Sequence, residues 1–405
     1  MTVPPMTLSS SFFTPNARAA WVLAFAASLA LHPALAAESD WSDTIRDLHP
    51  YAAISFTYDS NLLRSSSDLD PQSDRYLQLE AGLDTELNVN RQRFLINGKI
   101  VNVAYDRFSR YDYTGGDAAL IWKWVLGRLW DGDLAYTYDR RLRAFGDQLL
   151  PIKDLRDTNR LYGSANRWLT DHWKAGALLD WTNVSFSETK FLDITRNGVG
   201  AHLTYYTELD NSIGLLVNYT DAQYTNRVDR DYVDFSTGPA AEWKITDKTL
   251  LKANIFYKSR TYDVLSEQDF SGPVGRLTAL WKASGKTAVK ASVYHDISDL
   301  DDDIATYAVI DGVSVQPTWA ITGKTSLRAL ANFERRNFQG RRADAADLGL
   351  SERVDEVTEL GLWLDWQARR NVLLSLGYGV DDRNSDRQLR DYNAEYVEAR
   401  FQIGL

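Results

Sequence analysis

Apolar and polar side chains alternate one for one over long stretches of this chain, and that alternation admits few folds. In the clearest run Leu77, Leu79, Ala81, Leu83, Thr85, Leu87 and Val89 interleave with Gln78, Glu80, Gly82, Asp84, Glu86 and Asn88. A strand sends the two sets to opposite faces, whereas a helix scatters both around its circumference. The pattern returns over residues 173–181, 213–219 and 251–257.

Turn signals of two kinds punctuate it. Short polar breaks stand near Asn90-Arg91, Asp131-Gly132, Thr170-Asp171, Asp210-Asn211, Thr246-Asp247, Ser284-Gly285, Gly323-Lys324 and Arg369-Arg370. Longer ones stand near residues 65–73, 109–112, 145–154, 187–190, 221–231, 259–269, 296–303, 335–353 and 381–390. The strands between them run roughly 10–16 residues, against about 5–6 in an ordinary globular sheet. Tight turns alternating with long loops put every tight turn at one end of a meander. The expected fold is therefore all-β: a transmembrane up-and-down antiparallel β-barrel of about 18 strands, with short periplasmic turns and longer extracellular loops. A soluble sandwich needs shorter strands and a turn about every 8–12 residues. A propeller needs four short strands in each repeat of about 40. The chain ends in the same register, with Val397, Ala399, Phe401, Ile403 and Leu405 on one face. That ending resembles the assembly signal of outer-membrane barrels, although Leu stands where Phe or Trp is usual. Trp122, Trp124, Trp130, Trp168, Trp173, Trp243, Trp281, Trp319, Trp363 and Trp366 fall in strands, many near the tight turns, where interfacial girdles need amphipathic rings.

Composition closes off other classes. The chain has no cysteine, which excludes a disulfide scaffold and a thiolate metal site. Its net charge of −10 argues against a nucleic-acid binder. Residues 1–36 read as a secretory signal: Arg18, an apolar run to Leu31, then Pro33 and the small-x-small triplet Ala34-Leu35-Ala36. Residues 37–48 are then a short periplasmic segment and 49–405 the barrel, in the outer membrane of a Gram-negative bacterium.

Lipid cannot hydrogen-bond polar groups, so the apolar set faces out and the polar set faces a wet lumen. At this strand number the interior is too wide for side chains to fill. The charged residues assigned to the lumen or its outer entrance are Arg140, Arg141, Arg143, Arg196, Lys252, Lys258, Arg276, Lys290, Arg328 and Arg400, with Glu80, Asp84, Glu86, Glu242 and Glu359. The loops near 145–154 and 335–353 are candidates to fold inward as partial plugs. Arginine forks match carboxylates and sulfates, and aromatic faces suit sugar rings, so such a tube suits an acidic polysaccharide. Arg335 and Arg336, at another loop entrance, equally suit lipopolysaccharide phosphate. The acidic loop Asp299, Asp301, Asp302 and Asp303 offers cation-type oxygens, though a solvated loop is the simpler reading. Enzyme motifs are absent: the histidines are not at ligand spacing, and there is no nucleophile elbow or P-loop. His202 falls on the inward face and His295 on the outward face. No catalytic residue, metal or cofactor is expected.

Tyr58-Asp59-Ser60-Asn61-Leu62-Leu63-Arg64, Ser73-Asp74-Arg75, Tyr105-Asp106-Arg107-Phe108, Tyr111-Asp112-Tyr113 and Tyr136-Thr137-Tyr138-Asp139-Arg140 carry a family likeness. In these blocks the chain resembles the EpsL family, outer-membrane barrels of exosortase-associated exopolysaccharide clusters. The resemblance implies a part in exopolysaccharide biosynthesis or export, with the polymer, outer-membrane lipid and lipopolysaccharide as partners. It also implies a separate periplasmic and inner-membrane export apparatus. It supplies no site residues. A general or sugar-uptake porin and a non-conducting scaffold remain open beside it.

Overall fold

The structure, a computed structural model, describes residues 48–299, 302, 305–339 and 353–404. The expected leader, the segment before Leu48, Asp301, Asp303, most of the 335–353 loop and Leu405 lie outside the described residues. The strands are β1 (Leu48–Asp59), β2 (Asp74–Val89), β3 (Gln92–Tyr105), β4 (Tyr113–Leu126), β5 (Trp130–Leu142) and β6 (Leu155–Trp168). Then come β7 (Trp173–Phe186), β8 (Ile194–Tyr206), β9 (Ser212–Tyr224), β10 (Tyr232–Thr246), β11 (Thr249–Tyr262) and β12 (Phe270–Trp281). The last six are β13 (Thr287–Ser298), β14 (Tyr307–Ala320), β15 (Thr325–Gln339), β16 (Arg353–Arg369), β17 (Val372–Ser385) and β18 (Tyr392–Gly404). Each pairs antiparallel with its sequence neighbours, and β18 returns to β1 from Tyr51↔Gly404 to Asp59↔Tyr396, closing one 18-stranded barrel. Closure leaves no sheet edge at that junction, which is what lets a sheet cross lipid.

The alternation read from the sequence is the alternation of the wall. Leu77, Leu79, Leu179, Leu215, Ile255 and Leu376 stand exposed on the outside. An exposed apolar belt this extensive has no place on a soluble monomer. Two aromatic girdles bound it. Trp130, Trp173, Trp243, Trp281, Trp319 and Trp366 ring the tight-turn end, and Tyr58, Tyr136, Tyr219, Tyr257 and Tyr378 stand toward the long-loop end. Such rings anchor a barrel at the two interfaces. Trp168 and Trp363 instead point inward, under Lys174 Nζ at 4.9 Å and the Arg328 guanidinium at 5.6 Å. Trp363 lies across Gly361, where a Cβ would meet its ring at 2.1 Å, so the close approach requires glycine there.

The tight turns fall where the polar breaks predict, with one shift. Asp131-Gly132 lies inside β5, and the turn is residues 127–129, entered through Gly127 at φ +63°. Gly132 is a packing glycine: its missing Cβ makes room for Trp124, 2.6 Å from where that atom would be. Asn90 takes φ +54° in a two-residue hairpin turn, a position that favours Asn.

Four outer loops share one design. An aromatic or its equivalent closes a strand, and an Asp seven residues later accepts its N–H: Tyr105 to Asp112 at 2.8 Å, Phe186 to Asp193 at 2.7 Å, Tyr224 to Asp231 at 2.6 Å and Tyr262 to Asp269 at 2.9 Å. A short 3-10 turn fills each loop. Neighbouring loops are tied in series, Ser187 N–H to Leu155 O, Thr225 N–H to Asp193 O and Asp263 N–H to Asp231 O. The outer rim is thus a collar of hydrogen-bonded loops.

Candidate functional site: the outer mouth and lumen

One sector of the wall departs from the rest, and it builds the mouth. β12 and β13 pair only from Gly275↔His295 to Trp281↔Val289. Beyond that, Phe270–Val274 pairs with β11 alone and Asp296–Ser298 with β14 alone. The outer end of the β13–β14 hairpin has turned into the barrel. Ile297, which alternation places outside, is 1% exposed and packs in one cluster with Val274, Phe256, Tyr262 and Tyr307.

Charges pin the turned-in hairpin to both walls. The Asp299 carboxylate accepts from Arg260 and from the Tyr232 hydroxyl, and lies 3.6 Å from Arg196 Nε on β8. Arg260 is braced by Asp234, with Nε–Oδ1 at 2.7 Å and Nη2–Oδ2 at 2.8 Å, and stacks 3.7 Å over the Tyr232 ring. Burial works against ionising Asp299, but Arg260 and Arg196 outweigh it and hold its carboxyl below the usual range. Asp302 accepts from Arg353 Nη2 at 3.0 Å on β16. Arg353 in turn lies 3.1 Å from Asp355 and 3.6 Å over the Phe338 ring. Residues 299 to 302 span about 10 Å of chain at most. The partners of Asp299 stand on β8, β10 and β11, and the partner of Asp302 stands on β16. Asp299 and Asp302 therefore lie across the mouth, between the β8–β11 wall and β16.

A second segment crosses toward the same wall. In the loop between β5 and β6, Gly146 O accepts from Arg383 Nη2 at 2.7 Å and Gln148 O from Arg390 Nη1 at 2.9 Å. Its other side rests on Tyr111, whose ring meets Phe145 edge-on at 4.7 Å and whose hydroxyl donates to Pro151 O at 2.9 Å. Burial, with Arg353, Arg383 and Arg387 close by, pushes the Arg390 guanidinium down to about 10. Arg353, Asp355, Arg383 and Arg390 form the hub on which both crossings land.

Below the mouth the inward face carries pairs between nearby strands. Glu80 holds Arg400 through two bonds of 2.9 and 3.1 Å, Glu242 meets Lys252 at 2.9 Å, and Glu86 meets Arg93 at 2.7 Å. Lys258 lies 3.1 Å from Asp234, Arg328 bonds Asp365, and Arg141 lies 3.3 Å from Asp139. Arg276 stacks 4.0 Å over Tyr294. Asp84, Glu359 and Lys290 occupy inward strand positions, with Lys290 exposed to the lumen and opposite Leu280. Arg143 is buried at the foot of the inward loop, 3.7 Å from Asp154. The structure corrects one assignment: Arg140 shares the outward face with Tyr136 and Tyr138, its Nε 3.8 Å from Asp157. Both faces of β5 are polar at that height, so alternation there gives no sign of which is inside.

Of the two loops read as plugs, 145–154 does turn inward, and the described ends of 335–353 are strand. Arg336 is inward and bonded to Glu334 at 2.8 Å, while Arg335 faces out. The acidic loop is instead the hairpin tip. Its described carboxylates are held by arginines, and no group of acidic or histidine side chains among the described residues is arranged for a metal. His202 bonds Asn166 at 3.0 Å and Thr204 at 3.2 Å, and His295 bonds Asp311 at 2.6 Å. Sequence reading missed Arg260, Asp234, Arg353, Asp355, Arg383 and Arg390. For all but Arg390, which lies in the loop between β17 and β18, inward parity at a strand end was the available signal.

A family model described as "Putative beta-barrel porin 2" matches residues 217–403. No curated protein matches the chain. Among solved structures, Pseudomonas aeruginosa OccK9 (OpdG) is 11% identical with a TM-score of 0.50, covering 89% of this chain and 100% of its own. P. aeruginosa OccK2 (OpdF) is 7% identical with a TM-score of 0.49, covering 89% and 98%. A BenF-like porin from Pseudomonas fluorescens Pf-5 is 9% identical with a TM-score of 0.49, covering 89% and 99%. At these identities the likeness is one of fold. The chain thus has the fold of a Gram-negative outer-membrane β-barrel, and its residues 217–403 are similar to the porin family.

Proposed function

We propose that this barrel is a solute porin whose outer mouth is narrowed to admit small polar and charged molecules. The observation that carries this reading is the double crossing of the lumen, by the β13–β14 tip and by the β5–β6 loop, above an interior lined with charges of both signs. Many of those charges are part-exposed: Lys252 and Glu242 keep 22% and 29% of their side-chain surface. A part-exposed wall of this kind is wetted and passes solutes rather than packing as a core. The porin family match over the C-terminal half supports the same reading.

Passage of an exopolysaccharide, which the EpsL resemblance implies, needs both crossings to leave the lumen together. The residues that carry that resemblance have a local task. Arg64 binds Asp59 at 2.9 Å and Asp381 at 3.0 Å, and the Asn61 side chain caps Ser65 N–H at 2.9 Å and donates to Asn393 O at 3.1 Å. They tie the first outer loop to β17 and β18, and that task is indifferent to what crosses the barrel. Liposome swelling tests the proposal. Proteoliposomes should swell in monosaccharides and small organic ions and not in dextrans. Permeation of a dextran or of an acidic polysaccharide would favour polymer export, and no permeation of any solute would favour a scaffold.

A further inference from the structure

The arginines at the hub carry more charge than their contacts with the two inward segments use, and we infer that they form a binding site for a small oxyanion, a carboxylate or phosphate group on a solute entering the mouth. The inference rests on the porin reading, which brings solutes to the mouth, and names the class of solute held there. Four guanidiniums gather at the hub, from Arg353 on β16, Arg383 on β17, and Arg387 and Arg390 in the outer loop between β17 and β18. Among the described residues, Asp302 and Asp355 are the carboxylates within ion-pair distance of any of them. Other acids of this sector are engaged elsewhere. Asp381 is bound to Arg64 and Glu334 to Arg336, while Asp386 accepts from the Val354 N–H and Asp391 from the Ser66 hydroxyl. Four guanidiniums against two carboxylates leave an excess of two positive charges.

Much of that charge is met by neutral oxygen. Arg383 gives Nη2 to Gly146 O and Nε to Arg390 O at 2.8 Å, and Arg390 gives Nη1 to Gln148 O. A carbonyl satisfies a donor but leaves a buried charge uncompensated, whereas an ionised acceptor makes a bond about twice as strong. Other donors hold neither inward segment. Arg390 is 8% exposed, and its Nη2 is buried without a hydrogen-bond partner. The Arg387 guanidinium, half-buried, meets no partner among the described residues, and burial together with Arg353 pushes it below its ordinary value. Pinning the two segments needs Arg353, Arg383 and Nη1 of Arg390, and it leaves Arg387 and Nη2 of Arg390 without a task. The forks are also fixed ahead of any ligand. Arg353 lies over the Phe338 ring, and Arg383 lies 4.6 Å from the centre of the Tyr392 ring. Guanidinium planes held in this way suit the paired oxygens of a carboxylate or phosphate.

Isothermal titration of the full barrel, in zwitterionic detergent at low salt and pH 7, tests the inference with succinate, inorganic phosphate and the uncharged succinamide. One succinate or one phosphate should bind per barrel, about tenfold more tightly than succinamide. The tighter of the two anions identifies the group. Arg390→Gln and Arg387→Gln should each weaken that binding about tenfold. Arg335→Gln, on the outer face of β15, should leave it unchanged. Arg387 contacts neither inward segment among the described residues, so its variant decides alone should Arg390→Gln fail to fold. No binding, equal binding of charged and uncharged probes, or binding unmoved by both Arg390→Gln and Arg387→Gln overturns the inference. The porin reading fails separately, when proteoliposomes pass no solute, whether or not an anion binds.

Discussion

The mouth and the middle of this barrel use the same side chains to opposite ends. In the middle, Lys252–Glu242 and Arg160–Asp180 join adjacent or near strands and stay part-exposed to the lumen. At the mouth, Arg260–Asp299 and Arg353–Asp302 join the turned-in segment to β11 and β16, with side-chain exposures of 2% to 11%. Exposed pairs are worth about 0–1 kcal/mol, whereas breaking a buried pair costs about 3–5 kcal/mol because the survivor is left uncompensated. Charge in the middle therefore colours the passage, and charge at the mouth decides its shape.

That contrast can be broken most sharply at the hairpin tip. Replacing both Asp299 and Asp302 with Ala should cost about 3–5 kcal/mol of local stability. It should release the tip, seen as protease cleavage within residues 299–306 of folded, membrane-inserted barrel that wild type resists. Equal resistance in the two proteins would show that packing around Ile297, not charge, holds the hairpin.

Acid offers a second way in. The Asp299 carboxyl is held below the ordinary value, so its ionised form stabilises the closed hairpin. That contribution is complete above the ordinary carboxyl pKa of about 3.9 and fades as the pH falls through the lower folded value. Protease resistance of the tip should thus be flat from about pH 8 to 5 and be lost only in stronger acid. Loss near pH 6 would point to a histidine instead.

Smaller effects sharpen the comparison. Asp231→Ala removes the acceptor of the Tyr224 N–H while keeping the backbone carbonyl that meets the Asp263 N–H, and should lower thermal stability by about 1–3 kcal/mol without opening the lumen. Glu242→Gln in the middle should change stability by less than about 1 kcal/mol while shifting the reversal potential in a salt gradient toward anions. A large stability loss from Glu242→Gln would erase the distinction drawn between the two regions.

Much of the barrel was legible because lipid enforces a simple rule. Leu77 to Val89 had to alternate, and long strands bounded by tight turns had to close. Legibility failed where that rule relaxes. Gly132 reads as a turn because glycine beside aspartate usually is one, yet here it makes room for Trp124. Arg140 stands where both faces of β5 are polar, so its parity carried no sign of inside or outside. Ile297 obeys the alternation and still ends up buried, because the hairpin as a whole turned inward. Asp299 and Asp302 looked like a solvated acidic loop because their partners Arg260 and Arg353 lie 39 and 51 residues away. No local pattern announces a contact made across a lumen.

Single-channel conductance in planar bilayers tests the central claim most directly, comparing wild type with the Asp299→Ala, Asp302→Ala double variant at pH 7. The account predicts a small wild-type conductance that rises several-fold in the variant. A large wild-type conductance equal to that of the variant would contradict it, because the hairpin would then not narrow the mouth.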